Sequence, residues 1–416
     1  MTQGGLAVAN SPQLPETPGS VEPADLRIEI RDRLESLEPL GAQWNDLLAS
    51  SSADGVFLTW DWIRQWWQIY GAGIGSGLSA RADLRVLLAF DRDTLIGIAP
   101  LMIRQTRRGV LPGPRVLSMV GQGGGTLAER FAFIVAPAVE LEVATAFAQF
   151  ISGPMCQEWD QLRFERLTEG ARSTQVLIDA LTAAGLPLES TSAHVAPYSH
   201  LPASMDAFLA ERSSNFRSQY RRSQRKLEAV GELKVCMAGT DLSVDDAMRA
   251  LGTLHRKRFD AQESKSFRTE AYIEFHRGIA RQFQRAEWLW LAILKLDGKP
   301  IAARYDYVYG GKVWCMQGGW DPEYSAFRPG MVLTGRVIEW AISQGCAEYD
   351  FLTGDEAYKG RWATGERWLV GVRAFNPTTV RGRLLRRISR ARGLLRRQSE
   401  GTRIAFGGQA RQSNPA

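Results

Sequence analysis

The chain reads as an α/β protein in which two similar units, each a mixed sheet flanked by helices, lie side by side. Three observations carry that expectation. At 416 residues the chain is long for one domain, and 44% hydrophobic and 10% aromatic residues suffice to bury substantial cores. Two stretches repeat one order of elements: a hairpin, further strand, an apolar helix and a polar-flanked strand. The second stretch adds a short loop, Arg328-Pro329-Gly330, directly before its helix.

Residues 1–24 hold Pro, Gly and Ser without an early basic cluster or a long apolar core, and read as a disordered lead rather than a targeting segment. The first unit is expected over 25–192. Phe57, Trp60, Trp62, Ile63, Trp66 and Trp67 predict an aromatic core helix over Thr59–Tyr70, with a sugar-stacking platform as the minor reading. Leu84–Phe90 and Thr94–Ile103 flank Asp91-Arg92-Asp93 and predict a hairpin. Val139–Ile151 follows as a helix and Trp159–Leu167 as a strand. The run Gly123-Gly124-Gly125 within Gly121–Arg130 looks like a phosphate cradle, yet Phe131–Val135 reads as another strand. A flexible loop beside the cleft is the plainer reading, and this unit is expected to be the non-catalytic copy.

Residues 193–231 are expected to be a linker, marked by Pro197 and Pro202, and then a basic helix over Met205–Ala229. Phe216, Tyr220 and Leu227 form one apolar stripe, with the cations of Arg212–Lys226 elsewhere. Those cations are either a solvated face or a cleft wall in which Arg217, Arg221 and Arg225 hold an anionic substrate. The second unit spans 232–378. Leu251–Phe283 reads as helix, and Leu289–Leu296, Asp297-Gly298 and Pro300–Tyr309 form the stronger hairpin signal. Met331–Ser343 reads as the helix and Glu348–Leu352 as the strand that ends at Thr353-Gly354-Asp355. Free N–H groups at a helix start favour anionic oxygens, so the loop before Met331 is expected to grip a pyrophosphate, as of coenzyme A.

The net charge of +6 is unevenly placed. Ten arginines against one glutamate lie between Arg381 and Arg411, leaving the rest of the chain slightly acidic. The region 379–416 reads either as a disordered arginine-rich tail or as a basic amphipathic helix, with Leu384, Leu385, Ile388 and Leu395 on one side, lying on an anionic membrane face. Nucleic-acid binding is the weakest reading, since the folded body has no matching charge. Cys156, Cys236, Cys315 and Cys346 are widely spaced, which suits a reduced, cytoplasmic compartment. His194, His200, His255 and His276 lack metal-ligand spacing, so no metal is expected. No apolar run approaches the roughly 20 residues that span a bilayer.

Several motifs in order carry a family resemblance over roughly residues 40–375. They are FxTWxWxxxWW at Phe57–Trp67, Pro197-Tyr198 before the basic helix, Leu296 to Ala302, Trp320-Asp321, Arg328-Pro329-Gly330, and Tyr349 to Lys359. Together they resemble CelD-type proteins of bacterial polysaccharide biosynthesis, which have a GNAT-type acetyltransferase fold, and more distantly the tandem FemAB aminoacyl transferases. The resemblance implies tandem GNAT-like (acyl-CoA N-acyltransferase) domains and an acyltransferase that moves an acetyl or other acyl group from acetyl-CoA or another acyl-CoA to a sugar or amine in exopolysaccharide or cellulose biosynthesis. The amphipathic reading of the basic tail would place such an enzyme peripherally beside a membrane polysaccharide synthase. A usual GNAT loop has two or three close glycines; here only Pro329-Gly330 remains. The alternatives are a FemAB-like transferase with a tRNA-borne donor, or a catalytically weak scaffold of a glycan-synthesis complex.

Acyl transfer needs a held donor, a deprotonated acceptor and a stabilised oxyanion. Donor binding is expected from Phe327, Arg328, Pro329, Gly330, Met331 and Val332. Asp321, Asp350 and Glu356 are the candidate bases, with a structural Asp350 as the alternative. Tyr324 would donate to the departing thiolate; Tyr358 and Lys359, also expected in catalysis, would project toward the domain seam, where Lys359 would stabilise the oxyanion or bind phosphate unless it is a surface lysine.

Overall fold

The computed structural model describes residues 25–71, 81–108, 111–259, 266–354 and 356–391. The expected N-terminal lead, Asp355 and the tail beyond residue 391, with Leu395, lie outside the described residues.

The first unit opens with β1 (Leu26–Arg31), α1 (Gly41–Ser50) and α2 (Trp60–Trp66). Strands β2 (Arg81–Leu84), β3 (Val86–Asp91), β4 (Thr94–Ala99), β5 (Leu101–Arg108) and β6 (Leu111–Met119) follow. It closes with β7 (Ile134–Val135), α3 (Glu140–Ser152), β8 (Gln161–Thr168), α4 (Arg172–Ala183) and β9 (Glu189–His200). The second unit begins with α5 (Met205–Ala210), α6 (Ser214–Glu228), β10 (Leu233–Met237), α7 (Val244–Arg258) and α8 (Glu270–Arg285). Then come β11 (Leu289–Leu296), β12 (Lys299–Tyr309), β13 (Lys312–Trp320), α9 (Pro329–Ser343), β14 (Glu348–Asp350), α10 (Ala357–Trp362) and β15 (Gly365–Phe375). Residues 380–391 are helical.

An eleven-stranded sheet in the order β10-β11-β12-β13-β14-β9-β15-β8-β6-β5-β2 runs through both units, beside a four-stranded sheet β1-β3-β4-β7. Both hairpins form. Asp297 and Gly298 adopt φ of 48° and 79°, the left-handed pair that a two-residue turn needs. The two units share a strand–helix–parallel-strand core. β6 and β8 meet in parallel at Val116↔Gln161 and Leu117↔Leu162 around α3, and β13 and β14 meet in parallel from Lys312↔Glu348 to Trp314↔Asp350 around α9.

Several boundaries differ from expectation. Residues 193–200 are no linker: they belong to β9, a central strand between β14 and β15. The chain thus exchanges strands at the seam, because β15 pairs with β8 of the first unit. The helix expected over Met205–Ala229 breaks at Ser213, whose hydroxyl accepts from the Phe216 amide at 3.2 Å and restarts it as α6. The helix expected over Leu251–Phe283 is two, since Phe259 turns to extended φ −114°, ψ 133°. The Thr94–Ile103 strand divides at Pro100, which lacks a ladder N–H, and its halves enter different sheets. Phe131–Val135 contributes strand only at β7.

The aromatic helix is core. Trp62 is fully buried and meets Phe57 edge-on at 4.9 Å, Phe275 at 4.8 Å and Tyr307 at 5.9 Å. It therefore joins α2 of the first unit to α8 and β12 of the second. Such pairs add about 0.5–1.5 kcal/mol each beyond burial.

Candidate active site

β13 positions the site. It pairs with β12 from Lys312 to Trp320 but with β14 only from Lys312 to Trp314. From Cys315 onward that edge of β13 has no neighbouring strand among the described residues. A cavity of about 300 Å³ opens there. Gly318, Gly319 and Trp320 of β13 form one wall, with Ala303 and Arg304 of β12. The first turns of α9 supply Gly330, Met331, Leu333 and Thr334, and the preceding turn supplies Ser325 and Arg328. Phe216 of α6, Arg258 of α7, and Tyr358, Arg361 and Trp362 of α10 complete it.

Two glycines allow these helices to converge. A Cβ on Gly319 would lie 2.3 Å from the His255 amide nitrogen, so only glycine lets α7 rest its backbone on β13, which delivers Arg258 to the cavity. A Cβ on Gly335 would lie 2.3 Å from the Tyr220 ring, so α6 packs closely on α9 and its apolar stripe brings Phe216 in. Phe216 then meets Trp362 edge-on at 4.8 Å.

The lining is cationic. It holds Arg258, Arg304, Arg328 and Arg361, one phenol, and no carboxylate or imidazole among the described residues. Arg304 Nε donates to the Asp306 carboxylate at 3.0 and 3.1 Å, and its Nη2 donates to the Tyr349 hydroxyl at 2.6 Å. That hydroxyl donates in turn to Asp306 at 2.9 Å. Burial pushes the Asp306 carboxyl up to about 6, against the pull of Arg304. Arg258 has no carboxylate within ion-pair distance among the described residues. Its guanidinium instead faces the rings of Phe259 at 4.4 Å, Tyr358 at 5.6 Å and Trp320 at 5.9 Å. Burial raises the Tyr358 phenol well above its ordinary pKa, so it keeps its proton and acts as a donor.

Of the residues expected from sequence, Arg328, Gly330, Met331 and Tyr358 line this cavity. The expected backbone cradle is not there. The Met331 and Val332 amides donate to the Arg328 carbonyl at 3.0 and 3.2 Å, and Pro329 has no N–H, which leaves the Gly330 amide alone in that turn. Arg328 adopts the left-handed φ 51°, ψ 54° that sets its carbonyl beneath the helix. Pro329 and Val332 are core, and Phe327 packs near Tyr324 at 6.5 Å outside the cavity.

The expected bases are occupied elsewhere. Asp350 is fully buried, ion-paired with Arg130 and with Arg367 at 3.1 Å, and accepts from the Leu352 amide at 2.8 Å. It is structural. Asp321 accepts from Lys257 at 2.6 Å, which pulls its pKa below the usual range, and caps the turn at the Glu323 amide. Tyr324 lies under Lys299 at 5.0 Å. Glu356 pairs with Lys359 at 2.8 Å, and Lys359 also donates to the Thr353 carbonyl at 2.9 Å; both line a separate groove with His194 and Glu366. Arg217 binds the Ala210 and Arg212 carbonyls, Arg221 lies 3.6 Å from Asp206, and Arg225 is exposed. None of these three lines the cavity, so the basic face of α6 is a solvated one.

In the first unit the matching notch is filled. The Gln122 side chain accepts from the Met119 amide at 2.9 Å and donates to the Glu165 carbonyl at 3.0 Å, and the Phe131 amide reaches the Arg166 carbonyl at 3.2 Å. The loop 120–131 thus plugs the space between β6 and β8. Its glycine run lies against Tyr70 and Arg104 rather than at a helix start.

Sequence reasoning missed Arg258, Arg304, Arg361 and Trp320. A faint signal existed for Arg304, since Arg304 and Asp306 share one face of an otherwise apolar strand.

Residues 214–360 match the family model described as acetyltransferase (GNAT) domain, a span that holds every lining residue except Arg361 and Trp362. The fold is similar to the crystal structure of FemX, at 12% identity and a TM-score of 0.54, covering 79% of this chain and 95% of that one. It is also similar to a conserved protein of unknown function from Bacteroides thetaiotaomicron VPI-5482, at 9% identity and 0.50, covering 84% of this chain and 100% of that one. No curated protein matches the sequence. The architecture is the mixed α/β one that the element order predicts, with the GNAT-domain match confined to residues 214–360.

Proposed function

We propose that this chain, whose residues 214–360 match a GNAT acetyltransferase domain, transfers an acyl group from acetyl-CoA or another acyl-CoA to an amine or hydroxyl of a sugar-like acceptor. One observation carries the reading: four guanidiniums and a proton-holding phenol surround an enclosed space at the open edge of β13. Arg328 and Arg361, both exposed, suit the donor's phosphates. The unpaired edge of β13 offers backbone groups to the amides of an extended thioester arm. Phe216, Trp320 and Trp362 keep water from the reacting carbonyl. Arg304, fixed by Asp306 and Tyr349, donates a hydrogen bond to the oxyanion, and the Tyr358 hydroxyl donates one to the departing thiolate. With no base among the described lining residues, the acceptor reacts in its neutral form and its proton passes to water at the cavity mouth.

A polar groove of about 800 Å³, lined by Arg212, Asn215, Gln219 and Thr364 among others, adjoins the cavity through Phe216 and Arg361. Its shape and polarity suit an extended glycan, which fits the polysaccharide role implied by the motif resemblance. In the helix over 380–391, Val380, Leu384 and Ile388 form an exposed row with Arg381, Arg383, Arg386, Arg387 and Arg390 around it. That row supports peripheral docking on an anionic membrane, although no described helix is long and apolar enough to cross one.

The test is thiol release from acetyl-CoA with amino sugars and glycans as acceptors. Acceptor-dependent release supports the reading. Its absence, with transfer from aminoacyl-tRNA instead, supports a second reading favoured by the occupied Met331 amide: a donor without a diphosphate to cradle. Failure with both donors leaves a scaffold.

A further inference from the structure

Arg258 is the one half-buried lining arginine with neither ion pair nor hydrogen bond among the described residues. Arg304 is neutralised by Asp306, Arg361 bonds to Gln219, and Arg328 is exposed at the mouth. Among the described residues the Glu356 carboxylate attracts Arg258 from beyond ion-pair distance and is itself paired with Lys359 at 2.8 Å. A guanidinium has five N–H donors, and arginines are rarely withdrawn from water without a partner. Three aromatic faces hold the Arg258 head in place, and Arg304 nearby adds like-charge repulsion that an entering anion would offset. The close packing of α7 on Gly319 fixes this geometry in the backbone, so the charge is built in rather than swept through.

We propose that Arg258 is a specificity-determining residue that receives a carboxylate of the substrate in this cavity. The inference rests on the cavity being the transfer site. A half-buried guanidinium with no carboxylate partner among the described residues, flanked by rings, matches a planar, singly charged carboxylate bound through two parallel hydrogen bonds. Two substrates can bring that group: an acceptor with a free carboxylate, such as an amino acid or a uronic acid, or an acyl arm ending in one.

Calorimetry separates the sources and leaves the donor reading independently testable. The acceptor arm compares 2-amino acids and glucuronate with their carboxamides; the donor arm compares succinyl-CoA with acetyl-CoA, and inorganic phosphate is titrated as a control. In at least one arm the carboxylate ligand should bind about 10- to 100-fold more tightly than its neutral partner, the span expected of charge-assisted hydrogen bonds. Arg258→Ala should bring that ratio near one, and Arg258→Lys should restore part of it, with thermal melting confirming that both variants fold. Equal affinity for carboxylates and amides in both arms, a preference that survives Arg258→Ala, or tighter binding of phosphate than of any carboxylate overturns the proposal. If neither thioester binds but a carboxylate acceptor does so through Arg258, the inference stands and the acyl-CoA reading falls.

Discussion

Arg130, on the loop that fills the first unit's notch, closes an ion pair with Asp350 on β14 of the second unit. Arg367 of β15 reaches the same carboxylate at 3.1 Å, and the Arg130 guanidinium also lies 4.6 Å over the Trp314 ring. The glycine-rich loop that looks like a phosphate cradle in sequence therefore serves as a clamp, and Asp350, a candidate base, is its counter-charge.

Removing one partner of such a buried pair leaves an uncompensated charge. Arg130→Ala should lower unfolding stability by about 3–5 kcal/mol in urea titrations. A loss under about 1 kcal/mol would mean that the clamp contributes little.

Two further carboxyls at this seam shape the pH response. Burial, reinforced by the Asp350 charge, pushes both Glu129 and Glu348 up to about 7. A carboxyl whose folded pKa exceeds its unfolded one, near 4.5, holds its proton more tightly when folded. The stability that these two carboxyls contribute should therefore fall as pH rises from about 4.5 to about 7 and level off above that, against an opposite trend from the buried His255 and His276, whose pKa values burial lowers. Glu129→Gln should flatten part of this slope in chemical unfolding measured across that range; an unchanged slope contradicts the assignment.

Tyr358 is the one hydroxyl of the Glu356–Lys359 segment that enters the cavity. Tyr358→Phe should lower kcat in thiol-release assays by at least about tenfold while leaving donor affinity within about twofold, as loss of a proton donor predicts. A fall in affinity with kcat intact would make it a binding residue instead.

The exposed row Val380, Leu384 and Ile388 gives a membrane test. Cosedimentation with phosphatidylglycerol vesicles should exceed that with phosphatidylcholine vesicles, since each cation near an anionic surface adds about 1 kcal/mol. Leu384→Asp with Ile388→Asp should reduce it severalfold. Equal binding to both vesicle types argues for a free tail.

Much of the fold was legible because its signals are local. Asp297-Gly298 specifies its turn, the apolar runs specify α3 and α9, and Phe216, Tyr220 and Leu227 specify the buried face of α6. The exchange of β9 and β15 was not, because strand partners are chosen by tertiary packing and Pro197 reads locally as a linker. The site was legible only in part. Tyr358 and Arg328 stand in motifs, whereas Arg258 reaches the cavity because a distant glycine, Gly319, lets α7 approach. Asp350 misled because a motif carboxylate in a strand looks the same whether it meets substrate or an arginine 220 residues away.

Isothermal titration of acetyl-CoA into the wild type and an Arg328→Ala/Arg361→Ala variant tests most directly whether guanidiniums, in place of a backbone cradle, hold an acyl donor at the open edge of β13. Saturable binding that weakens at least about tenfold in the variant is the predicted result, since two charge-assisted contacts are lost. No binding at millimolar ligand, or equal affinity in both proteins, contradicts it.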